Sequence, residues 1–529
     1  MKYSFFTGAV LNFLNRNKLF FLFLVVFLAF ITYFFRGVYI LDPDFGWRIR
    51  FGQIIYKNGI PRSDPFSYTM PSFYFVDHSW LFSLLIGLTY PIFKNNLLSL
   101  FLSFLVFLSV YFSGRRLCDG DFEHTDLAVK YERWLHPMVI TSMAFLIIYF
   151  SVRAQVISWF LFSVLNLLLF SRDYYSRYKY FVPILFFIWA NLHGGYSLGL
   201  IVLIYFTCFR WFVSRKGSYK DIFILLTSIF ITLATPYGFE GWREVASSIF
   251  DSRLRLTISE WMPTITTFDI SMAFYIAMST FFIIHKRKDI PKIQYFLFLG
   301  MLVFGLTSRR NMPFYVLYTL PLTIFSLNKL YLSIKGSSVS RERYEIAFQF
   351  VRIFSVVLIL FQLYFAYWKS YFVKDWMTEK AGFYPAGAVS YLKERGVEGE
   401  VFSSYGWGGY LIWTYSEKKV FIDGRMPSWR FVPEDGSAEL PSAMDEYLKI
   451  ENGDVIFNDI AGRFDIRYVL WPKEKEGFFA ELEKRVRNTG IFKDKNDFSF
   501  TEYLKENDWK IVYSDETSDI YRYFGGQRL

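Results

Sequence analysis

The feature that most constrains this chain is a series of long apolar runs. They lie near residues 19–40, 80–93, 97–113, 137–152, 156–171, 180–192, 196–213, 221–236, 270–285, 291–307, 313–328 and 346–369. A helix needs ~20 apolar residues to cross the hydrocarbon core. Inside lipid every backbone N–H and C=O must be satisfied within the segment, which leaves helices or closed barrels. The pattern predicts a polytopic α-helical membrane protein. Composition agrees: 53% of residues are hydrophobic, 22% aromatic and only 20% charged.

Charge orients the runs. The second, 80–93, has 14 residues and ends at Pro91–Lys94. If it spans, the Arg115/Arg116 pair falls outside and every later loop inverts. If it lies in the interface or re-enters, the basic clusters all fall on one side: Arg16/Lys18, Arg115/Arg116 with Lys130/Arg133, Arg172/Arg177/Lys179, Arg215/Lys216/Lys220, Lys286/Arg287/Lys288 and Lys335/Arg341/Arg343. The positive-inside rule makes that side cytoplasmic. The expected threading has about 11 spans, with the N-terminus in and the C-terminus out. The run from Leu19 lacks an A-x-A site and reads as a retained signal-anchor.

From about Tyr371 the composition turns polar. Residues 385–396 predict a short helix ending at Gly396, "EVFSSY", "KVFID" and "IRYVLW" predict strands, "EKEGFFAELEKRVRN" an amphipathic helix, and the last segment a hairpin. The expected organisation is a transmembrane domain over 1–370, with a first external loop at 36–79, and an extracytoplasmic α/β domain over 371–529. Two of its segments, "YGWGGYLIW" and "FIDGR", suit either tight turns or a platform for an acceptor.

Several classes are excluded. The net charge of +11 is accounted for by basic loop clusters, so no nucleic-acid partner is expected. The two cysteines, Cys118 and Cys208, have no metal spacing and rule out a disulfide framework. There is no phosphate-cradling GxxxxGK[ST] and no GxGxxG opening a helix. HExxH is also missing. No cofactor is expected, and although the acids leave a divalent metal open, nothing supports one. An outward-facing enzyme has no nucleotide supply, so an activated substrate would come from the lipid.

The threading gathers the distinctive polar segments outside: the 36–79 loop, "SVRAQ", "ANLHGGYS", "TPYGFEGW" with "ISEWMP", and "SRRNMP". Asp42 and Asp44 directly follow the first run. After them Trp47, Phe51 and Ile54/Ile55 share one helical face and Arg48 and Arg50 another, which predicts a helix along the interface. Asp44 at headgroup level could take a proton from an attacking hydroxyl. The leaving group would be a polyprenyl phosphate, for which Arg153, Arg309 and Arg310 are candidate cations. Asp77, His78, His193 and Glu260 are candidates for substrate or acceptor contact. Each has a plainer reading. Asp42 could cap a helix begun by Pro43, and Arg309–Arg310 could snorkel. Arg153 could touch headgroups, His193 could bond its own turn, Asp77–His78 could start the next helix, and Glu260–Trp261 could be an interfacial acid and aromatic.

The series "DPDFGWRIRFGQIIYKNGIPRSDPFSYT", "VDHSWLF", "RAQ", "WANLHGGYSLG", "TPYG", "EWMP", "SRRNMP" and "GWGGYLIW...KVFIDGRMPSW" resembles prokaryotic polytopic proteins related to the GT-C glycosyltransferases. That superfamily includes protein O-mannosyltransferases, lipid A aminoarabinose transferases and oligosaccharyltransferase catalytic subunits. The resemblance implies a cell (inner) membrane transferase taking a polyprenyl-linked sugar to a glycan, lipid or protein acceptor. It implies a catalytic acid in the first external loop, which falls by position on Asp44, with Asp42 as the near alternative. It also implies juxtamembrane helices in that loop, as suits a non-spanning 80–93. The group commonly reads D-x-D-x-W-W-H-x; Gly46 replaces its first Trp and Arg48 its His. Those departures keep a non-catalytic scaffold open, and a transporter or flippase of lipid-linked glycans is the other alternative.

Overall fold

The computed structural model describes residues 18–119, 132–251, 258, 260–266, 270–334, 382–430, 442–473 and 498–525, with scattered helical positions over 353–364. Most of the run at 346–369 and the whole amphipathic segment after Lys473 lie outside the described residues. The chain divides into two units. The first holds 1–39, 77–82 and 93–372, and the second 40–76, 83–92 and 373–529.

The first unit is helical. Its apolar runs form the helices Lys18–Tyr39, Asn95–Asp119, Glu132–Leu146, Gln155–Phe170, Val182–Leu192, Tyr196–Cys208, Tyr219–Ile231, Phe239–Phe250, Ile270–His285, Lys292–Thr307 and Met312–Ile334. Asn95–Leu117 and Tyr196–Val213 are long and apolar enough to cross a membrane, and the pair Gln155–Phe170 and Arg172–Leu192 passes jointly but bends by 100°. Leu100, Phe104, Ile201, Phe223, Phe230, Phe281 and Val303 are exposed, as suits a lipid solvent. Between helices the contacts use small polar residues. Ser99 Oγ donates to the Phe34 carbonyl at 2.6 Å, and Ser113 and Ser163 pair at 3.1 Å. A hydroxyl costs little there because it closes on a backbone carbonyl or a second hydroxyl. Arg116 is buried deep in this packing, where it donates to Gln294 Oε1 at 3.0 Å and lies 4.9 Å from the Tyr318 ring centroid.

The second unit is α/β. Strands β1 (Glu400–Ser403), β2 (Ile466–Pro472), β3 (Trp509–Ser514) and β4 (Ser518–Tyr523) form one sheet in the order β1-β2-β4-β3. β1 and β2 run parallel, and the crossover between them contains the helices Ala443–Glu451 and Phe457–Phe464. β3 and β4 make the expected antiparallel terminal hairpin. Phe402 centres the core, with Phe421 and Phe457 each at 5.0 Å and Trp471 stacked at 5.9 Å between centroids. The short helix forms over Ala386–Arg395, with Gly396 left-handed at its end.

The "KVFID" expectation is corrected: no strand forms there. Val420 makes a single parallel bridge to Ser67, and its N–H donates to the Phe66 carbonyl at 3.0 Å. Asp423 then turns the chain, because its carboxylate accepts the Arg425 N–H at 2.9 Å. An acid bonded to its own turn cannot continue a ladder.

The helix expected along the interface forms over Phe45–Asn58. Trp47, Phe51 and Ile55 share its buried face, as the pattern predicts, while Ile54 is only half-buried. Protein covers that face: Phe75 lies 5.1 Å from Phe51 and 5.9 Å from Trp47 between ring centroids. A second contact explains Gly46. A Cβ on residue 46 would stand 2.1 Å from the Gly409 carbonyl oxygen, and one on residue 409 would stand 2.2 Å from the Pro43 carbonyl oxygen. The helices Phe45–Asn58 and Gly408–Thr414 therefore touch backbone to backbone, and no Trp fits at position 46. We expect Gly46→Ala to cost ~1–3 kcal/mol through overpacking, read as a lower unfolding midpoint by tryptophan fluorescence. An unchanged midpoint would refute the contact.

Candidate active site

In the second unit the two acids of the opening motif do different work. Asp42 is buried, and its Oδ1 accepts the Asp44 N–H at 3.0 Å while its carbonyl accepts the Phe45 N–H at 2.9 Å. It shapes the turn into the helix, which begins at Phe45 and not at Pro43. Asp44 occupies the N-cap position, yet its side chain makes no capping bond. Its Oδ1 instead accepts the Trp47 indole N–H at 3.1 Å. The half-buried carboxylate sits at a helix N-terminus, where the backbone dipole favours negative charge. Against the same oxygen lies Gly424, where an added Cβ would stand 2.0 Å from Asp44 Oδ1. Arg48 stacks 4.3 Å from the Trp47 centroid and donates to Ser83 Oγ at 3.0 Å.

Gly424 is flanked by a buried ion triad. The Arg425 guanidinium donates to Asp423 Oδ1 at 2.8 Å, to Asp423 Oδ2 at 2.6 Å and to Asp64 Oδ1 at 2.6 Å. Phe66 and Phe75 each lie 4.9 Å from it, and Trp429 5.1 Å. Burial works against the Arg425 charge, but the two carboxylates outweigh it and hold the guanidinium above its usual range. Of the two readings of "FIDGR", the turn is what forms: Asp423 and Arg425 are consumed in the interior.

In the first unit, Arg153, Glu260, Arg309 and Arg310 come together. The Glu260 carboxylate pairs with the Arg153 guanidinium. The Glu260 carbonyl accepts the Arg310 N–H at 3.1 Å and the Ser308 hydroxyl at 3.0 Å, and the Met262 carbonyl accepts the Arg309 N–H at 3.0 Å. The Arg310 guanidinium covers Trp261 at 4.1 Å, and its carbonyl accepts from Gln155 Nε2 at 2.7 Å. The Arg309 guanidinium lies 5.8 Å from the Tyr149 centroid, with no ion-pair partner among the described residues. This is a fixed knot of three loops. Sequence reasoning placed Glu260 with acceptor contacts, whereas here it neutralises one of four cations. It also missed the fourth. Arg36, in the last turn of Lys18–Tyr39, donates to the Phe150 carbonyl at 2.9 Å and the Ile148 carbonyl at 3.2 Å. Its one signal was a basic residue ending the first apolar run.

A third group lies in the same unit. Asp77 Oδ1 accepts the Ser79 N–H at 2.9 Å and so starts the helix Trp80–Phe93. His78 and His193 face each other at 5.8 Å between rings. His193 Nδ1 accepts the Gly195 N–H at 3.0 Å and lies 2.7 Å from Ser158 Oγ, which in turn accepts the Trp189 indole N–H at 2.7 Å. With Nδ1 accepting an amide, Ser158 must donate, and the proton of the neutral ring rests on Nε2. Trp80 Nε1 donates to Asn191 Oδ1 at 3.0 Å, and Asn191 Nδ2 donates to the Ala234 carbonyl at 3.1 Å. These bonds join the "VDHSW", "NLHGG" and "TPYG" segments around a narrow cleft lined by Asp77, His78, Trp80, Tyr196, Thr235 and Tyr237. Among the described residues no three metal-ligating side chains converge.

No family model and no curated protein matches the chain. Solved structures do. The archaeal oligosaccharyltransferase AglB from Archaeoglobus fulgidus, in complex with an inhibitory peptide and a dolichol-phosphate, aligns with a TM-score of 0.53 at 12% identity over 97% of this chain and 75% of its own. ArnT from Cupriavidus metallidurans, bound to undecaprenyl phosphate, aligns with a TM-score of 0.48 at 10% identity over 97% of this chain and 98% of its own. This chain shares the fold of the archaeal oligosaccharyltransferase structure.

The Glu260 knot makes a pH prediction. Burial raises the carboxyl's pKa, but Arg153 first, then Arg310 and Arg309, bring it below the ordinary glutamate value of 4.5. A depressed carboxyl stabilises fully above its unfolded pKa and loses that contribution as pH falls through the folded one. We expect amide exchange at Arg309 and Arg310 to quicken only as pH drops below ~4.5, and Glu260→Gln to be fast already at neutral pH. Equal exchange in both proteins at neutral pH would contradict the knot.

Proposed function

We propose that this chain is a membrane glycosyltransferase moving a sugar from a polyprenyl-phosphate-linked donor to an extracytoplasmic acceptor. The observation that carries it is the GT-C fold over 97% of the chain, shared with an AglB structure that holds dolichol-phosphate. In this reading the acceptor hydroxyl oxygen attacks the anomeric carbon and its proton passes to the Asp44 carboxylate. The bond from that carbon to the phosphate oxygen breaks, and its electron pair leaves with the polyprenyl phosphate. A positioned base contributes ~10²–10⁴-fold to such a step. Asp44 suits the role because the Trp47 indole occupies Oδ1 and leaves Oδ2 for the proton.

Arg153, Arg309 and Arg310 are the proposed partners of the lipid phosphate, with Arg36 adding charge beside them. Guanidinium groups bind phosphate in a bidentate way and suit a developing negative charge. Arg309 lies against the Tyr149 ring, while the Glu260 carboxylate bonds Arg153. Asp42 acts through Asp44, whose N–H it holds. Asp77, His78 and His193 remain the proposed acceptor contacts. The proposed setting is the prokaryotic cell membrane, with about 11 spans, the N-terminus cytoplasmic and the 371–529 domain outside, as the distribution of Lys and Arg supports.

The test is Asp44→Asn in the full chain, supplied with a panel of radiolabelled undecaprenyl-phosphate-linked sugars. The expected result is a fall of ~10²-fold or more in sugar transfer, with expression and unfolding midpoint unchanged. Full turnover in a folded Asp44→Asn protein would sink the assignment of the base.

A further inference from the structure

We infer that the Asp423–Gly424–Arg425 turn, anchored to Asp64, is the positioning element for the Asp44 carboxylate. This rests on Asp44 as the base, but it adds a set of residues more than three hundred positions away in the chain.

Asp44 has two neighbours that constrain its side chain, the Trp47 indole on Oδ1 and the Gly424 backbone. The indole holds the carboxylate from within its own helix. Gly424 packs against the same oxygen, and it does so at a distance where only hydrogen fits, because a Cβ would stand 2.0 Å from Oδ1. An N-cap aspartate usually turns back onto its own helix to accept an N–H. Asp44 makes no such bond. A carboxylate held out of the capping rotamer needs a wall, and Gly424 supplies it.

A wall works only if it is rigid. The residues on either side of Gly424 are firmly tied down. Arg425 bonds three carboxylate oxygens within 2.8 Å, and its side chain retains 1% of its surface. Asp64 is fixed in turn, since its two oxygens accept the Phe66 and Ser67 N–H groups at 3.2 and 2.8 Å. The aromatic rings of Trp47, Phe66, Phe75 and Trp429 enclose the guanidinium. Trp47 thus borders both the Asp44 carboxylate and the Arg425 cation. A planar fork that satisfies two acids at once is a guanidinium property, and an ammonium cannot copy it. Burying three charges is a poor way to gain stability, because their desolvation offsets most of the attraction. A role in holding one turn at one distance gives the triad a reason to exist.

The experiment has two readouts on the full chain in nanodiscs. The first is the indole N–H resonance of Trp47 in ¹⁵N-tryptophan-labelled protein, assigned by Trp47→Phe. The second is kcat and donor KM with the same undecaprenyl-phosphate sugars. Gly424→Ala should move the Trp47 resonance and lower kcat by ~100-fold, the scale of an ångström of misplacement, with donor KM within ~2-fold. Arg425→Lys, which keeps the charge and the turn's glycine, should move the same resonance and lower kcat by roughly 10-fold. Neither change should lower turnover further when Asp44 is already Asn. A folded Gly424→Ala or Arg425→Lys protein with an unmoved Trp47 resonance and wild-type kcat overturns the inference. If Asp44→Asn keeps full turnover while the Trp47 resonance still moves in Gly424→Ala, the positioning stands and the base assignment fails.

Discussion

The interaction on which the second unit depends is the buried Arg425 bonded to Asp64 and Asp423. It joins positions 361 residues apart, so it can form only when the loop after the first helix meets the C-terminal α/β part. Removing one partner of a buried ion pair typically costs ~3–5 kcal/mol, because the remaining charge is stranded. The loop and the α/β part therefore form one cooperative piece, and the Val420–Ser67 bridge and the Tyr384 hydroxyl on the Leu41 carbonyl, at 2.9 Å, reinforce it. The proposed base is carried on this piece, at the start of a helix whose apolar face the same piece covers.

Glycine contacts complete the arrangement. Gly46 departs from the motif that the chain otherwise resembles, and the departure raised the question of a site that had lost its chemistry. The backbone contact with Gly409 gives a local reason for the change. Likewise Arg48, standing where the motif has His, stacks on Trp47 and bonds Ser83. Both substitutions are absorbed by packing around Trp47, the residue that also holds Asp44. They change what surrounds the acid and leave the acid in place.

Much of this was legible in the residues. Among the described residues the apolar runs became helices, the Trp47–Phe51–Ile55 face was buried as its period predicts, and β1, β2 and the terminal hairpin fell on the alternating segments. What could not be read were pairings between distant loops. Nothing in "SDP" or "FIDGR" says that one supplies an acid to the other, and a strand was expected where a carboxylate–guanidinium turn forms. Glu260 was read by its neighbour Trp261, but its partner is Arg153, 107 residues away. Arg36 was hidden at the end of an apolar run, where a basic residue usually means only a membrane boundary. The first-unit cation knot was thus half visible: Arg153, Arg309, Arg310 and Glu260 could be named, but not the pairing that joins them or the place of Arg36 beside them.

Whether the chain breaks a glycosidic phosphate bond is the central question, and the fate of the lipid answers it most directly. The full chain, reconstituted in vesicles containing an undecaprenyl-phosphate-linked sugar on the outer leaflet and given extracts of cell envelope as acceptor, can be followed by mass spectrometry of the extracted lipid. The account predicts bare undecaprenyl phosphate accumulating in step with sugar bound to the acceptor. Recovery of the donor intact, moved to the other leaflet without cleavage, would contradict it and mark the chain as a transporter.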